Sequence, residues 1–155
     1  MRPLSVEQFK RVLAGGALPS DGPPATRLAF TVKGRARGLA RARKGGDHWY
    51  DPQENEDSKE EIARAFKEAA RGLAVPLDAP VTLTVIASYQ TPRKKLWGQG
   101  KTTRSDLDNC CKTVLDALDG LAYRDDALVV ELHAWKKWGD ESSFTVSLVW
   151  GVPMV

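Results

Sequence analysis

Apolar residues fall into short runs along this chain, and their spacing switches between the period of a strand and that of a helix. Leu28-Ala29-Phe30-Thr31-Val32 reads as a first strand, and His48-Trp49-Tyr50 as a short second one ended by Asp51-Pro52. From Ser58 to about Leu73 the period lengthens: Ile62, Ala65, Phe66 and Ala69 recur at helical spacing, and Gly72 and Pro76 bracket the end. Val81 to Ser88 returns to alternation, with Val81, Leu83, Val85 and Ala87 on one side and Thr82, Thr84, Ile86 and Ser88 on the other. Leu107 to Leu118 is a second helix whose stripe of Leu107, Cys111, Val114 and Leu118 should face the sheet, with Gly120 ending it. Leu128 to Trp135 and Phe144 to Trp150 are two closing strands, expected to form a hairpin across Lys137-Trp138-Gly139-Asp140. The order β(β)αβαββ predicts an α+β fold, a mixed β-sheet with two main helices packed on one face.

Ahead of these elements, Ser5 to about Ala14 has the pattern of a short helix. Ser5 and Gln8 form a capping box, and Gly15-Gly16 stops it. Pro19-Ser20-Asp21-Gly22-Pro23-Pro24 has the composition of a linker. Residues 1–26 therefore read as an N-terminal extension and linker, and 27–155 as the main domain.

Composition changes this picture little, but the placement of charge changes it more. At 155 residues with 42% hydrophobic residues, the chain is long enough for one domain with a proper core. The net charge of +3 is too small to identify a nucleic-acid binder by itself. Basic residues are grouped, however. Lys33, Arg35, Arg37, Arg41, Arg43 and Lys44 form a run free of acids, and Arg93, Lys94, Lys95, Lys101 and Arg104 form another. Grouped positive charge is the footprint of phosphate-backbone contact, and its bland alternative is a solvated basic surface. No apolar run approaches the roughly 20 residues that span a bilayer. The N-terminus also lacks the apolar stretch of a signal peptide, so the expected location is the cytoplasm. Cys110 and Cys111 are adjacent, a spacing that suits neither a disulfide framework nor a zinc site, and they read as reduced and partly buried.

Candidate chemistry gathers around the second helix. Asp106 and Asp108 stand at its start, Lys112 lies one turn on, and Asp125-Asp126 precedes the next strand. If that strand brings its first residues back to the same helix end, the carboxylates converge on one point. Carboxylate oxygens are the ligands that Mg²⁺ prefers, and it usually adds waters and substrate phosphates. Each residue also has a duller reading. Ser105 and Asp108 match a capping box, Lys112 and Asp116 match an i,i+4 surface pair, and Asp125-Asp126 matches a polar turn. His48 and His133 are the only histidines, and His133 reads as structural rather than as a general base. Trp97, inside the second basic loop, is equally suited to stacking on a base and to packing at an interface.

The run Arg104-Ser105-Asp106-Leu107-Asp108-Asn109, then Lys112, Leu115-Asp116-Ala117-Leu118, Asp125-Asp126-Ala127 and Val129-Val130-Glu131 resembles the signature of the RusA family of Holliday-junction resolvases, common in phages and prophages. The match is close from Arg104 to Lys136 and looser at Phe30 to Arg35 and Tyr50 to Pro52. Leu128 replaces a frequent Gln, and Ser105 replaces the usual Pro or Arg. The resemblance implies a homodimeric, Mg²⁺-dependent endonuclease, with Mn²⁺ as a substitute, that cuts four-way DNA junctions by paired symmetric nicks in recombination and repair. By position it implies Asp106, Asp108 and Asp126 as metal-binding catalytic acids, Asp125 as an accessory metal ligand, and Lys112 as the essential lysine. DNA contacts would come from Arg35, Arg37, Arg41, Arg43, Lys44, Arg93, Lys94, Lys95, Lys101, Arg104 and Lys136. Two alternatives stay open, a nuclease acting on flaps or forks and a catalytically silent DNA-binding subunit. A nucleotide hydrolase is disfavoured because no phosphate-binding Gly-rich loop of the G-x-x-x-x-G-K-[ST] type is present.

Overall fold

The computed structural model describes residues 26–34, 43–45, 48–50 and 53–151, with only the backbone path given for 43–45, 48–50 and 54. The elements in chain order are β1 (Thr26–Lys33), β2 (Arg43–Gly45), β3 (His48–Tyr50), α1 (Gln53–Ala69), β4 (Val81–Gln90), α2 (Leu107–Leu118), β5 (Val129–Gly139) and β6 (Ser143–Trp150). The expected N-terminal helix and linker lie outside the described residues, as do Arg35, Arg37 and Arg41.

Four strands form one mixed sheet in the order β1-β6-β4-β5, and β2 and β3 pair separately as a small antiparallel hairpin. The hairpin expected between the last two strands does not occur. β5 and β6 are neighbours in sequence but are separated by β4, which pairs with β6 antiparallel and with β5 parallel. The burial of β4 explains this. Its residues are buried from Leu83 to Ser88 on both faces, as suits the central strand of the sheet with a neighbour along each edge. Residues 140–142 hop across its end, and Gly139 lies so close to Ser88 that a Cβ there would collide with the serine hydroxyl.

Val81, Leu83, Val85 and Ala87 line the helix-facing side of the sheet together with Phe144, Val146 and Leu148, as the register requires. α1 packs on β1 and on α2. It buries Ile62 and Phe66, and Phe66 meets Phe30 edge-on at 5.9 Å between ring centres. This helix starts five residues before the expected Ser58, because its first turns are wholly polar and carry no hydrophobic period. The expected stripe of α2 is buried at Cys111, Val114 and Leu118, joined by Cys110, Thr113 and Ala117. Both cysteines are free thiols inside the core. Among the described residues, no helix is long and apolar enough to cross a membrane.

Candidate active site

The parallel pairing of β4 with β5 decides where the acids go. A parallel pair needs a crossover, and α2 is that crossover, so it runs opposite to both strands. Its first residue lies near the end of β5, and its last lies near the start of β5. Twelve helical residues span about 18 Å. The structure therefore separates Asp106 and Asp108, at the head of α2, from Asp125 and Asp126, which precede β5 at its tail. Tyr123 fixes the tail, because its hydroxyl donates to the carbonyl of Leu115 at 3.1 Å. Burial and the charges of Asp119, Asp126 and Asp116 push the Tyr123 phenol well above its ordinary pKa. The expected convergence of all four carboxylates on one point does not occur within one chain. No group of three His, Cys, Asp or Glu among the described residues is placed to hold a metal. The sequence could not reveal this, since it turns on whether β5 pairs parallel or antiparallel.

At the head, Asp106 is the N-cap residue of α2, but its side chain makes no capping bond. The capping-box reading of Ser105 with Asp108 is thus not realised. Ser105 instead takes φ +74°, a left-handed conformation that L-residues rarely adopt. Two lysines hold it there. The Lys136 ammonium donates to the carbonyls of Ser105 at 2.7 Å and Thr103 at 2.9 Å. The Lys101 ammonium donates to the carbonyls of Thr103 at 3.1 Å and Arg104.

Lys101, expected to contact DNA, is 8% exposed and lies over the rings of Tyr89 at 4.5 Å and Trp138 at 5.2 Å. Carbonyl dipoles and ring faces, rather than a carboxylate, compensate its charge. Desolvation, with Lys136 nearby, lowers its pKa. This removes Lys101 from the exposed contacts and makes it an internal brace of the loop that leads into α2. Lys136 is likewise occupied with loop carbonyls, at intermediate exposure. Tyr89 completes the brace, its hydroxyl 3.1 Å from the Cys110 Sγ and also bonded to the Ser105 side chain. Burial raises the pKa of this phenol, and it raises the Cys111 thiol to about 11. Sequence reading misses the brace because a lysine among Gly, Thr and Arg looks like a solvated one. The nearest signal is the set of aromatics, Tyr89 and Trp138, far from it in sequence.

The remaining candidates are placed plainly. Arg93, Lys94, Lys95 and Arg104 are exposed. Trp97 is 41% exposed, tied by its indole N–H to the Thr91 carbonyl at 3.0 Å, with the Lys94 ammonium over its ring. Lys112 pairs with Asp116 at 3.0 Å on the exposed face of α2, as its duller reading requires. Asp125 accepts from the N–H of Ala127 at 2.8 Å and so caps the single 3₁₀ turn Asp126–Leu128. His133 meets Glu131 at 2.9 Å. Arg43 and Lys44 fall on β2.

The family model for the endodeoxyribonuclease RusA matches residues 29–148. The chain belongs to the RusA endodeoxyribonuclease family. It is 42% identical over 67 residues to the crossover junction endodeoxyribonuclease rusA of Lactococcus phage r1t, an alignment covering 43% of this chain and 50% of that protein. The chain thus spans about half the length of this RusA relative. It is also 31% identical over 134 residues to the uncharacterized protein YqaN of Bacillus subtilis, covering 78% of this chain and 94% of that protein. Membership in this family gives the carboxylates of α2 a chemical context that geometry alone leaves open.

Proposed function

We propose that this RusA-family protein is a homodimeric, Mg²⁺-dependent endonuclease that resolves four-way DNA junctions by paired symmetric nicks, serving recombination and repair in the cytoplasm of a bacterial host. The observation that carries this reading is the head of α2. There an N-cap carboxylate with no capping bond stands two residues from a second exposed carboxylate, at the end of the loop that carries the exposed cations Arg93, Lys94, Lys95 and Arg104. A helix start normally uses its cap side chain to satisfy a backbone N–H. An Asp that forgoes this bond keeps its oxygens for another partner. Oxygen donors of this kind fit a hard divalent cation, and Asp106 and Asp108 are the residues that would hold it, while Asp126, with Asp125 as accessory, lies at the other end of α2 and would have to join them from the second chain of the dimer. When bound, such a cation polarises the scissile phosphate and makes water a better nucleophile.

The rest of the work falls to the chain itself. The exposed basic residues would contact phosphates and fix the register of the DNA without reading its sequence. Lys112 is poised one turn from Asp108 and would leave Asp116 to meet charge growing on the phosphoryl oxygens. Lys101 and Lys136 hold the loop that presents Asp106. A two-fold dimer supplies two equivalent sites for a two-fold junction. The test is incubation of the purified protein with synthetic four-way junctions, flaps, forks and linear duplex, each with Mg²⁺, Mn²⁺ or EDTA. Paired nicks in the junction, dependent on metal, are expected. Faster cutting of flaps or forks would reassign the substrate, and tight junction binding without cutting would mean a silent DNA-binding subunit.

A further inference from the structure

We propose that Trp97 is a stacking platform for a base unstacked at the branch point of the DNA, the contact by which the loop of residues 91–104 tells a junction from a linear duplex. The inference rests on the junction reading for its substrate and on the loop for its geometry.

Three sets of bonds fix this ring at the surface. Its indole N–H donates to the Thr91 carbonyl at 3.0 Å. Its backbone N–H donates to the Lys94 carbonyl at 3.1 Å and closes the 3₁₀ turn Lys94–Leu96. The residues that follow are fastened to the end of β5, through Gly98 N–H to Trp138 O at 2.8 Å, Trp138 N–H to Gln99 O at 2.9 Å and Lys101 N–H to Lys136 O at 3.2 Å. The Gln99 side chain adds a bond to the Lys95 carbonyl at 2.8 Å. These bonds engage the edge of the indole and the backbone, and none of them uses a face of the ring, which stays 41% exposed. A ring already held in place loses little conformational entropy when a flat partner settles on it.

Charge selects the partner. Arg93, Lys94 and Lys95 precede the ring, all exposed, and the chain has no acid from Thr91 to Ser105. The Lys94 ammonium itself stands 5.8 Å from the ring centre. Lysine is depleted at protein interfaces, and pairing this patch with a second copy of itself would set cation on cation. Cations around an aromatic ring are instead the combination that binds unpaired nucleic acid, phosphates meeting the charges and a base lying on the ring. Every base has a π-face, so the contact reads no sequence. It reads structure. A base inside a duplex is covered on both faces by its neighbours, whereas strands that part at a branch point break the stack and release a face. The platform also stands close to the acids. Trp97 lies beside Trp138, and Lys136, two residues earlier on β5, donates to the carbonyl of Ser105, immediately before Asp106. Two strand residues cover about 7 Å, roughly two base steps of one DNA strand. A branch point docked at Trp97 would thus set which phosphate reaches Asp106 and Asp108.

Binding measured in EDTA, so that no strand is cut, tests the platform. Trp97→Ala should lose about 5- to 150-fold in affinity for a four-way junction per stacked base. Its affinity for linear duplex of the same length should stay parental, as should the salt dependence of both, since no charge is removed. Trp97→Phe lacks the indole N–H but keeps a ring face, and it should retain most of the junction affinity. Replacing the nucleotides around the branch point one at a time by an abasic site then finds the base. At one position the parent should lose affinity and Trp97→Ala should not. Equal losses on junction and duplex, an unchanged junction affinity, or a Phe variant as weak as the Ala variant would overturn the proposal. A Trp97→Ala chain that no longer forms the oligomer of the parent would also overturn it, and would make the ring an interface residue. If the parent binds junctions no more tightly than duplex, the junction reading fails instead. Single-stranded DNA then still decides the platform, because equal affinities of parent and Trp97→Ala for it would overturn the stacking role.

Discussion

The two ends of α2 carry similar residues and are built in opposite ways. At the head, cations are turned inward: Lys101 and Lys136 donate to three successive carbonyls and force Ser105 into a left-handed conformation. At the tail, a neutral tyrosine is buried and the acids are left outside, with Asp125 capping a single 3₁₀ turn and Asp119 and Asp126 exposed. The head stores strain and the tail is relaxed. Strain of this kind costs about 1–3 kcal/mol and survives only where surrounding structure over-determines it. A lysine brace supplies that determination, which explains why Asp106 is presented without spending its carboxylate on its own helix.

The largest test of this contrast removes charge from each end in turn. Asp108→Asn and Asp126→Asn should each slow junction nicking by a factor on the order of 10³, comparable to losing a principal transition-state contact, while binding stays near parental. A tail variant that cuts normally would restrict the chemistry to the head. Next is Lys112→Ala, midway between the ends. Its exposed pair with Asp116 is worth about 0.5 kcal/mol at most, so the melting temperature should hardly move, yet single-turnover cleavage should fall about a hundredfold. Cutting within about threefold of the parent would return Lys112 to the helix surface.

Lys101→Met comes third and addresses the brace. It keeps the apolar stem between Tyr89 and Trp138 but leaves the Arg104 carbonyl without its donor and the Thr103 carbonyl with Lys136 alone. A loss of about 1–3 kcal/mol in denaturant unfolding is expected, together with a lower nicking rate. Its junction affinity and the salt dependence of that affinity should stay parental, because a buried ammonium neutralises no phosphate. A flattened salt slope would put Lys101 back among the DNA contacts.

The smallest effect is on pH. The Cys111 thiol rises from 9.0 to about 11 on folding, so the unfolded chain releases its proton first. The stabilisation is fully present below pH 9 and is lost as pH climbs from 9 towards 11. Lys101, whose pKa is lowered, contributes in the opposite sense as it sheds its proton. Melting curves between pH 7 and 11 should therefore fall more gently for Cys111→Ala than for the parent, and parallel curves would contradict the assigned burial.

Much of the fold is legible in the amino-acid sequence. Strict alternation in β4 and the stripe of α2 can be read to within a residue or two, because burial on a defined face leaves a period in the chain. The order of elements is equally plain. What stays hidden is spatial order. Nothing in the composition of β5 or β6 tells whether they pair with each other or with β4, and the placement of Asp126 relative to Asp106 hangs on that choice. The polar first turns of α1 are invisible for the converse reason, since they bury almost nothing. At the candidate site the acids stand out by type and spacing. The brace does not, because its members, Tyr89, Lys101, Lys136 and Trp138, meet only in the folded chain.

The position of β6 bears on how the sheet can be made. It is the last of the described strands in sequence, yet it sits between β1 and β4 and supplies hydrogen bonds to both. During synthesis, β1 must wait for more than a hundred residues before its neighbour emerges, and β4 waits with one edge bare. A chain interrupted before Ser143 would present two unpaired strand edges at once, the surfaces most prone to cross-chain association. The last strand to be made is the keystone of the sheet.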